Sequence, residues 1–166
     1  MGFVINLPTE IMNSNCCRAA RIVLTLFIGM CGTLAVGCSS FNREWAGAAK
    51  ASPSATGMIG RWEGRWSSEA NQHAGRLRCL VTPAGNGNFI ARFHAKYGKI
   101  FSFGYSVALA VQETNSEFQF QGDANLGWYA GGNYHYEGRV VGTNFFATYR
   151  CKADHGTFQM ARPSGP

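Results

Sequence analysis

From residue 58 onward the side chains alternate between apolar and polar with a period of two, in eight separate stretches. GRWEGRW sets Trp62, Gly64 and Trp66 on one face and Arg61, Glu63 and Arg65 on the other. GRLRCLV sets Leu77, Cys79 and Val81 against Arg76 and Arg78, and NFIARFHAKY sets Phe89, Ala91, Phe93 and Tyr97 against Arg92, His94 and Lys96. In IFSFGYSVALAV one face carries Phe101, Phe103, Tyr105, Val107, Leu109 and Val111. Shorter stretches add Phe118 with Phe120, Tyr134 with Tyr136, Phe145 with Ala147, Tyr149 and Cys151, and Phe158 with Met160 and Arg162. This period belongs to half-buried strands, because successive side chains of an extended chain point to opposite faces.

Turn-forming residues fall between these stretches: Pro83, Gly85 and Gly87, then Asn115, then Gly142 and Asn144, then Asp154 and Gly156. Connections this short favour antiparallel neighbours. The spacing predicts an all-β domain of about eight strands. A meander of that size removes its exposed edges most completely by closing into a single up-and-down barrel. Composition agrees, with 21 glycines and 13% aromatic residues, while charged residues make up 14% against roughly 25% in an ordinary soluble protein.

An eight-stranded barrel is just wide enough to be filled by its own side chains or to hold one small ligand, and alternation alone leaves both open. If there is a cavity, Trp66, Phe93, Tyr105 and Tyr149 are the candidate lining residues. Trp62 on the first strand and Arg162 on the last both fall on the inward face, and a closed meander makes those strands neighbours. A guanidinium stacked on the indole would add ~0.5–2 kcal/mol and seal that end. The Gly-x-Trp of the first strand with an arginine near the end of the barrel resembles the calycin arrangement of lipocalins. That resemblance implies the same barrel, with Trp62 and Arg162 as structural residues.

The segment before the barrel follows a different logic. Arg18 and Arg21 precede an apolar run over residues 22–37 that ends in small residues, the layout of a secretory signal. The run of about 16 residues is shorter than the ~20 that span a bilayer as a helix, so a retained anchor is the second choice. Ala35, Val36, Gly37 and Cys38 resemble the lipobox of bacterial lipoproteins. The resemblance implies cleavage after Gly37, a diacylglyceryl thioether on Cys38, and acylation, for example with palmitate, of the new amino terminus. With Ser39 following, it also implies an outer-membrane address facing the periplasm. Several acyl chains together give stable anchoring. The expected organisation is a signal helix and peptide over 1–37, a lipidated N-terminus and flexible linker over 38–57, and the barrel over 58–166. Residues 1–11 carry Glu10 and no base, so translation from Met12 is an alternative start. Cys16, Cys17 and Cys31 lie in the discarded part.

From Cys38 onward the chain has 13 basic and 8 acidic side chains, a net charge of +5, with the basic residues scattered singly. An exported chain with such a surface is not expected to meet nucleic acid. The only cysteines of the barrel domain, Cys79 and Cys151, are either one disulfide or buried free thiols; strands two and seven are not adjacent in an ideal ring. His73, His94, His135 and His155 show no metal-ligand spacing, so no metal and no cofactor is expected. Cys151 with Asp154 and His155, or Ser67 or Ser68 with His73, are the sets from which catalysis would have to be built, and nearness in sequence is poor support for either. The expected function is non-catalytic: an envelope lipoprotein binding a small apolar or amphipathic ligand. The alternative is a protein-interaction module, a periplasmic inhibitor or scaffold, with a solid barrel whose outer arginines meet another envelope protein.

Overall fold

Asn86 and Gly87, and then Asn115 and Ser116, adopt positive φ (52° and 74°, 51° and 66°). Paired left-handed residues of this kind form the two-residue turns whose twist matches that of the strands they join. The computed structural model describes residues 40–50, 57–98 and 101–164. Its strands are β1 (Gly60–Ser68), β2 (Ala74–Gly85), β3 (Asn88–Tyr97), β4 (Phe101–Thr114), β5 (Glu117–Asn125), β6 (Asn133–Val141), β7 (Asn144–Arg150) and β8 (His155–Ala161), with one 3-10 turn at Trp128–Ala130 between β5 and β6. Each strand pairs antiparallel with the next, and β1 pairs with β8 from Glu63↔Ala161 to Ser68↔Gly156, so the eight strands form a closed barrel in sequence order. The expected all-β up-and-down barrel is the observed fold, consistent with a lipocalin-like architecture.

The inward faces are those given by the alternation. Trp62, Cys79, Val81, Val107, Val140 and Phe145 are sealed from solvent, and each fully buried large side chain of this kind stabilises the fold by ~1.5–3 kcal/mol. The outward faces carry Arg61, Arg78, Gln119 and Glu137, the reverse of a membrane-spanning barrel, whose apolar band faces outward. Several inward positions are glycine because a neighbouring strand passes too close for any side chain, Gly64 and Gly138 among them. A Cβ at Gly64 would lie 2.0 Å from the Gln159 carbonyl oxygen of β8, and one at Gly138 would lie 2.3 Å from that of Phe146. Gly64 therefore sits at the seam where the barrel closes.

The end of the barrel where β1 begins is packed shut. Trp62 donates its indole N–H to the Met58 carbonyl at 2.9 Å and packs against Phe145, whose ring meets Phe120 with centroids 4.9 Å apart. Arg162 lies over the Trp62 ring at 3.8 Å and donates to the Gly57 carbonyl at 2.7 Å. The Trp62–Arg162 stack expected from the alternation is present.

One alternative left open by the sequence is decided, and two stretches differ from expectation. Cys79 and Cys151 are free thiols: Cys79 is fully buried in register with Trp62 and Phe93, whereas Cys151 follows the end of β7 in the 151–154 turn. Phe101 and Phe103, on the inward face by alternation, are 71% and 49% exposed because they stand at the rim of the open end, where the barrel wall stops. Within the segment expected to be a flexible linker, residues 40–50 form a helix. Phe41, Trp45, Ala48 and Ala49 form the less exposed stripe of this helix, the i, i+4, i+7, i+8 spacing of an amphipathic surface helix. The signal segment, Cys38 and residues 51–56 lie outside the described residues.

The helix lies on the arginine face of β1, β2 and β3. Phe41 is buried and stacks on His94 at 5.1 Å, with the Arg78 guanidinium 5.2 Å from its ring, while Trp45 receives Arg61 at 5.5 Å and Arg78 at 5.1 Å. Glu44 and Ser40 both bind Arg92, and Asn42 accepts from Arg78 at 2.8 Å. His94 faces outward as expected, yet it is buried under this helix. Burial lowers its pKa below the ordinary 6.5, and the positive charges of Arg78 and Lys96 lower it further.

Gly64→Ala is expected to destabilise the barrel by about 3 kcal/mol, the upper part of the range for overpacking, because neither backbone can yield without opening the β1–β8 seam. Urea unfolding checks it, and an unchanged midpoint would contradict the close approach. His94 sets a second expectation. Its folded pKa is depressed, so below about 6.5 the unfolded chain binds more protons than the folded one, and stability is lost as the pH falls from there toward the folded value. His94→Gln should remove that part of the acid sensitivity. Unfolding of both proteins at pH 7 and pH 5, with hydrogen exchange of residues 40–50, measures it; identical pH dependence in the two would refute it.

Candidate functional site

At the opposite end from Trp62 the interior is open. A cavity of about 420 Å³ is walled by Trp66 of β1, Leu77 of β2, Ala95 of β3, Tyr105 of β4, Tyr134 and Tyr136 of β6, Tyr149 of β7 and Phe158 of β8. Leu126, Tyr129 and Ala130 of the β5–β6 connection close over it in part, and Asp154 joins from the β7–β8 turn. Its volume lies within the ~300–1,000 Å³ of small-molecule sites.

Alternation explains why these residues meet. The wall residues are the last or next-to-last inward positions at one end of their strands, except Tyr105, which follows the rim residues Phe101 and Phe103, and at that end the inward residue is repeatedly tyrosine rather than valine. Tyrosine supplies an apolar ring with a polar tip, suited to an interior that is dry on its walls and wet at its mouth. Phe103, Tyr105, Tyr136 and Tyr134 run as a row of near-parallel rings, with centroids 6.0, 6.0 and 6.1 Å apart and planes 16°, 26° and 22° from one to the next. Phe93 lies beneath the row, stacked on Tyr105 at 5.2 Å and tilted against Phe158 at 5.4 Å.

The polar groups gather on one side. Ser68 donates to Oδ1 of Asp154 at 2.6 Å, and the Tyr149 hydroxyl lies 3.4 Å from Oδ2 and 3.3 Å from the Ser67 carbonyl. The sulfur of Cys151 accepts the backbone N–H groups of Asp154 and Ala153 at 3.2 and 3.4 Å. Burial raises the pKa of the four wall tyrosines, Tyr105, Tyr134, Tyr136 and Tyr149, above the ordinary phenol value of 10.0. Neighbouring groups add to this: Tyr136 for Tyr105, Cys151 for Tyr134, and the Asp154 carboxylate for Tyr149. At neutral pH the cavity therefore presents neutral phenol hydroxyls, able to donate or accept.

Of the four lining residues named from sequence, Trp66, Tyr105 and Tyr149 face the cavity, and Phe93 supports it from below. Tyr134, Tyr136, Phe158 and Asp154 were not singled out as lining. The clustering of inward tyrosines at one end was the available signal for the first two; Asp154 reads in sequence as a turn residue, and nothing there says that its carboxylate turns inward. The sets considered for catalysis are not assembled. Ser68 meets Asp154, His73 meets the Tyr97 hydroxyl at 3.2 Å, and the nearest acid to His155 is Glu69 at 3.8 Å. Among the described residues no three His, Cys, Asp or Glu side chains come together as metal ligands, and no helix is long and apolar enough to cross a membrane.

Four of the six tyrosines should resist ionisation in the folded protein. Alkaline titration followed by ultraviolet difference absorbance should show their signal only well above pH 10 or on unfolding. A native protein whose phenols all titrated together near the ordinary value would contradict the buried mouth. The chain matches no family model, and neither a curated protein nor a solved structure matches it; its likeness to the lipocalins is one of barrel architecture alone.

Proposed function

We propose that the protein is a membrane-anchored envelope lipoprotein that binds, without catalysis, a small apolar or amphipathic ligand in the open end of its barrel. The observation that carries the binding part is the asymmetry of the interior: packed shut around Trp62 and Phe145, and open over about 420 Å³ beneath the tyrosine mouth. A barrel built only as a scaffold has no need to leave that end unfilled. Cavities lined by aromatic side chains with a few convergent polar groups are the usual form of small-molecule sites. The anchoring part rests on Ala35, Val36, Gly37 and Cys38 and on the apolar run before them.

The interaction-module reading is weakened on two counts. The barrel is not solid, and three of the outward arginines that would carry contacts, Arg61, Arg78 and Arg92, already bind the protein's own helix over 40–50. Exposed Trp128 and Tyr129, at 92% and 80%, lie in the connection over the mouth, where a ligand leaving a lipid surface would enter.

Native mass spectrometry of the protein purified from its own membrane tests both parts together. The expected mass is that of a chain starting at an acylated Cys38 and carrying a small retained ligand. An unmodified thiol at position 38 would overturn the anchor. For binding, tryptophan emission should change saturably with extracted membrane lipids, and Trp66→Phe should remove most of the change while Trp62 stays sealed. The ligand reading fails if no lipid shifts the emission and nothing co-purifies.

A further inference from the structure

We infer that the ligand of this cavity carries a cationic, weakly hydrated head group, a tertiary or quaternary ammonium on an apolar body. This rests on the cavity being a binding site and deepens that reading. Among the described residues that line the cavity there is no lysine, arginine or histidine, and the one charged side chain is Asp154. An anionic head such as a carboxylate or phosphate would enter with no cation to pair with and with a fixed negative charge beside it, and burying an unpaired charge is costly. An ammonium head meets the opposite situation.

The Asp154 side chain is not needed to make its turn. That turn is closed by the main chain, with the Cys151 N–H donating to the Asp154 carbonyl at 2.7 Å. Its Oδ1 is held by Ser68 at 2.6 Å, which fixes the carboxylate at the edge of the cavity. Among the described residues its Oδ2 has only the long contact from Tyr149, at 3.4 Å, and so keeps acceptor capacity toward the interior. Beside it stand the rings of Tyr134, Tyr136 and Tyr149, with Tyr134–Tyr149 centroids 6.0 Å apart. Aromatic walls with one carboxylate are the chemistry that recognises alkylated ammonium groups, whose charge is drawn to the electron-rich ring faces and whose methyl groups lose little hydration.

The overall charge makes the inference sharp. The chain from Cys38 onward is net +5, so its long-range field favours anions and repels cations. A preference for cations can only come from the local site.

Calorimetric titration of the full protein, purified in an uncharged detergent, with three probes tests this. The probes share a phenylhexyl body and carry a trimethylammonium, a hydroxyl or a carboxylate head. The trimethylammonium probe is expected to bind roughly tenfold or more tightly than the other two. Asp154→Asn should remove most of that preference, lowering trimethylammonium binding far more than alcohol binding. Tyr136→Leu, which keeps the charge and removes one ring, should also lower trimethylammonium binding relative to the alcohol, and serves if Asp154→Asn does not fold. Equal binding of the three heads, or a preference for the carboxylate, would overturn the cationic inference while leaving the cavity reading intact. Failure of all three to bind would overturn the cavity reading itself.

Discussion

Arg162 and Trp62 join the last strand to the first, and the rest of the architecture depends on that junction. Eight strands in a meander have two free edges, and only pairing β1 with β8 removes both. The pairing leaves one end of the ring to be filled. Trp62 fills it, with its N–H satisfied by Met58, and the guanidinium over its face closes the end without leaving the arginine unbonded, since Arg162 donates to the Gly57 carbonyl. Because this plug is a cation on a ring rather than one more aliphatic side chain, it ties the chain on both sides of the barrel, residue 57 and residue 162, to one contact.

With one end plugged, the chemistry of the interior changes along the barrel axis. Phe120, Phe145, Val140 and Met160 pack near Trp62, while Tyr105, Tyr134, Tyr136 and Tyr149 occupy the other end. A phenol buried with no partner would destabilise the fold, and a phenylalanine at the mouth would leave only apolar surface there. Tyrosine at the boundary meets both demands. Its hydroxyl lies toward the polar side formed by Ser67, Asp154 and Cys151, and burial keeps it protonated. The same substitution of tyrosine for phenylalanine that makes the mouth stable gives it hydrogen-bonding capacity.

The fold was legible because period-two alternation carries the orientation of each residue with it: once Trp62 is inward, Gly64 and Trp66 must be, and the turns at Asn86–Gly87 and Asn115–Ser116 fix the next strand in register. Alternation does not report position along the axis. Phe101 and Phe103 have the same pattern as Val107 and Leu109, yet the first pair stands beyond the wall and the second in the core. It is equally silent on which end is filled, so Phe93 and Tyr105 could both be named without knowing that one supports the cavity and the other lines it. The helix over 40–50 was missed for another reason. Only two large apolar residues, Phe41 and Trp45, mark its buried stripe, and what holds them is an arginine surface supplied by strands far along the chain.

That helix bears on how an anchored barrel would sit. Under the proposed acylation of Cys38, two residues before Ser40, a docked helix brings the lipid close to the β3 face, because Ser40 is bonded to Arg92. With the helix released, about 20 residues separate Cys38 from the barrel, and an extended chain of that length reaches as far as ~70 Å. The docked contact is electrostatic and aromatic rather than aliphatic: three guanidinium groups, two rings, one carboxylate and a histidine whose charged form the site disfavours. Such a contact responds to pH and ionic strength more than the barrel core does, since Trp62, Phe145 and Val107 carry no charge to titrate or screen. Under the proposed anchoring, the reach of the mouth from the membrane would be governed by the weaker of the two packings, and the barrel would keep its shape while its distance from the bilayer changed.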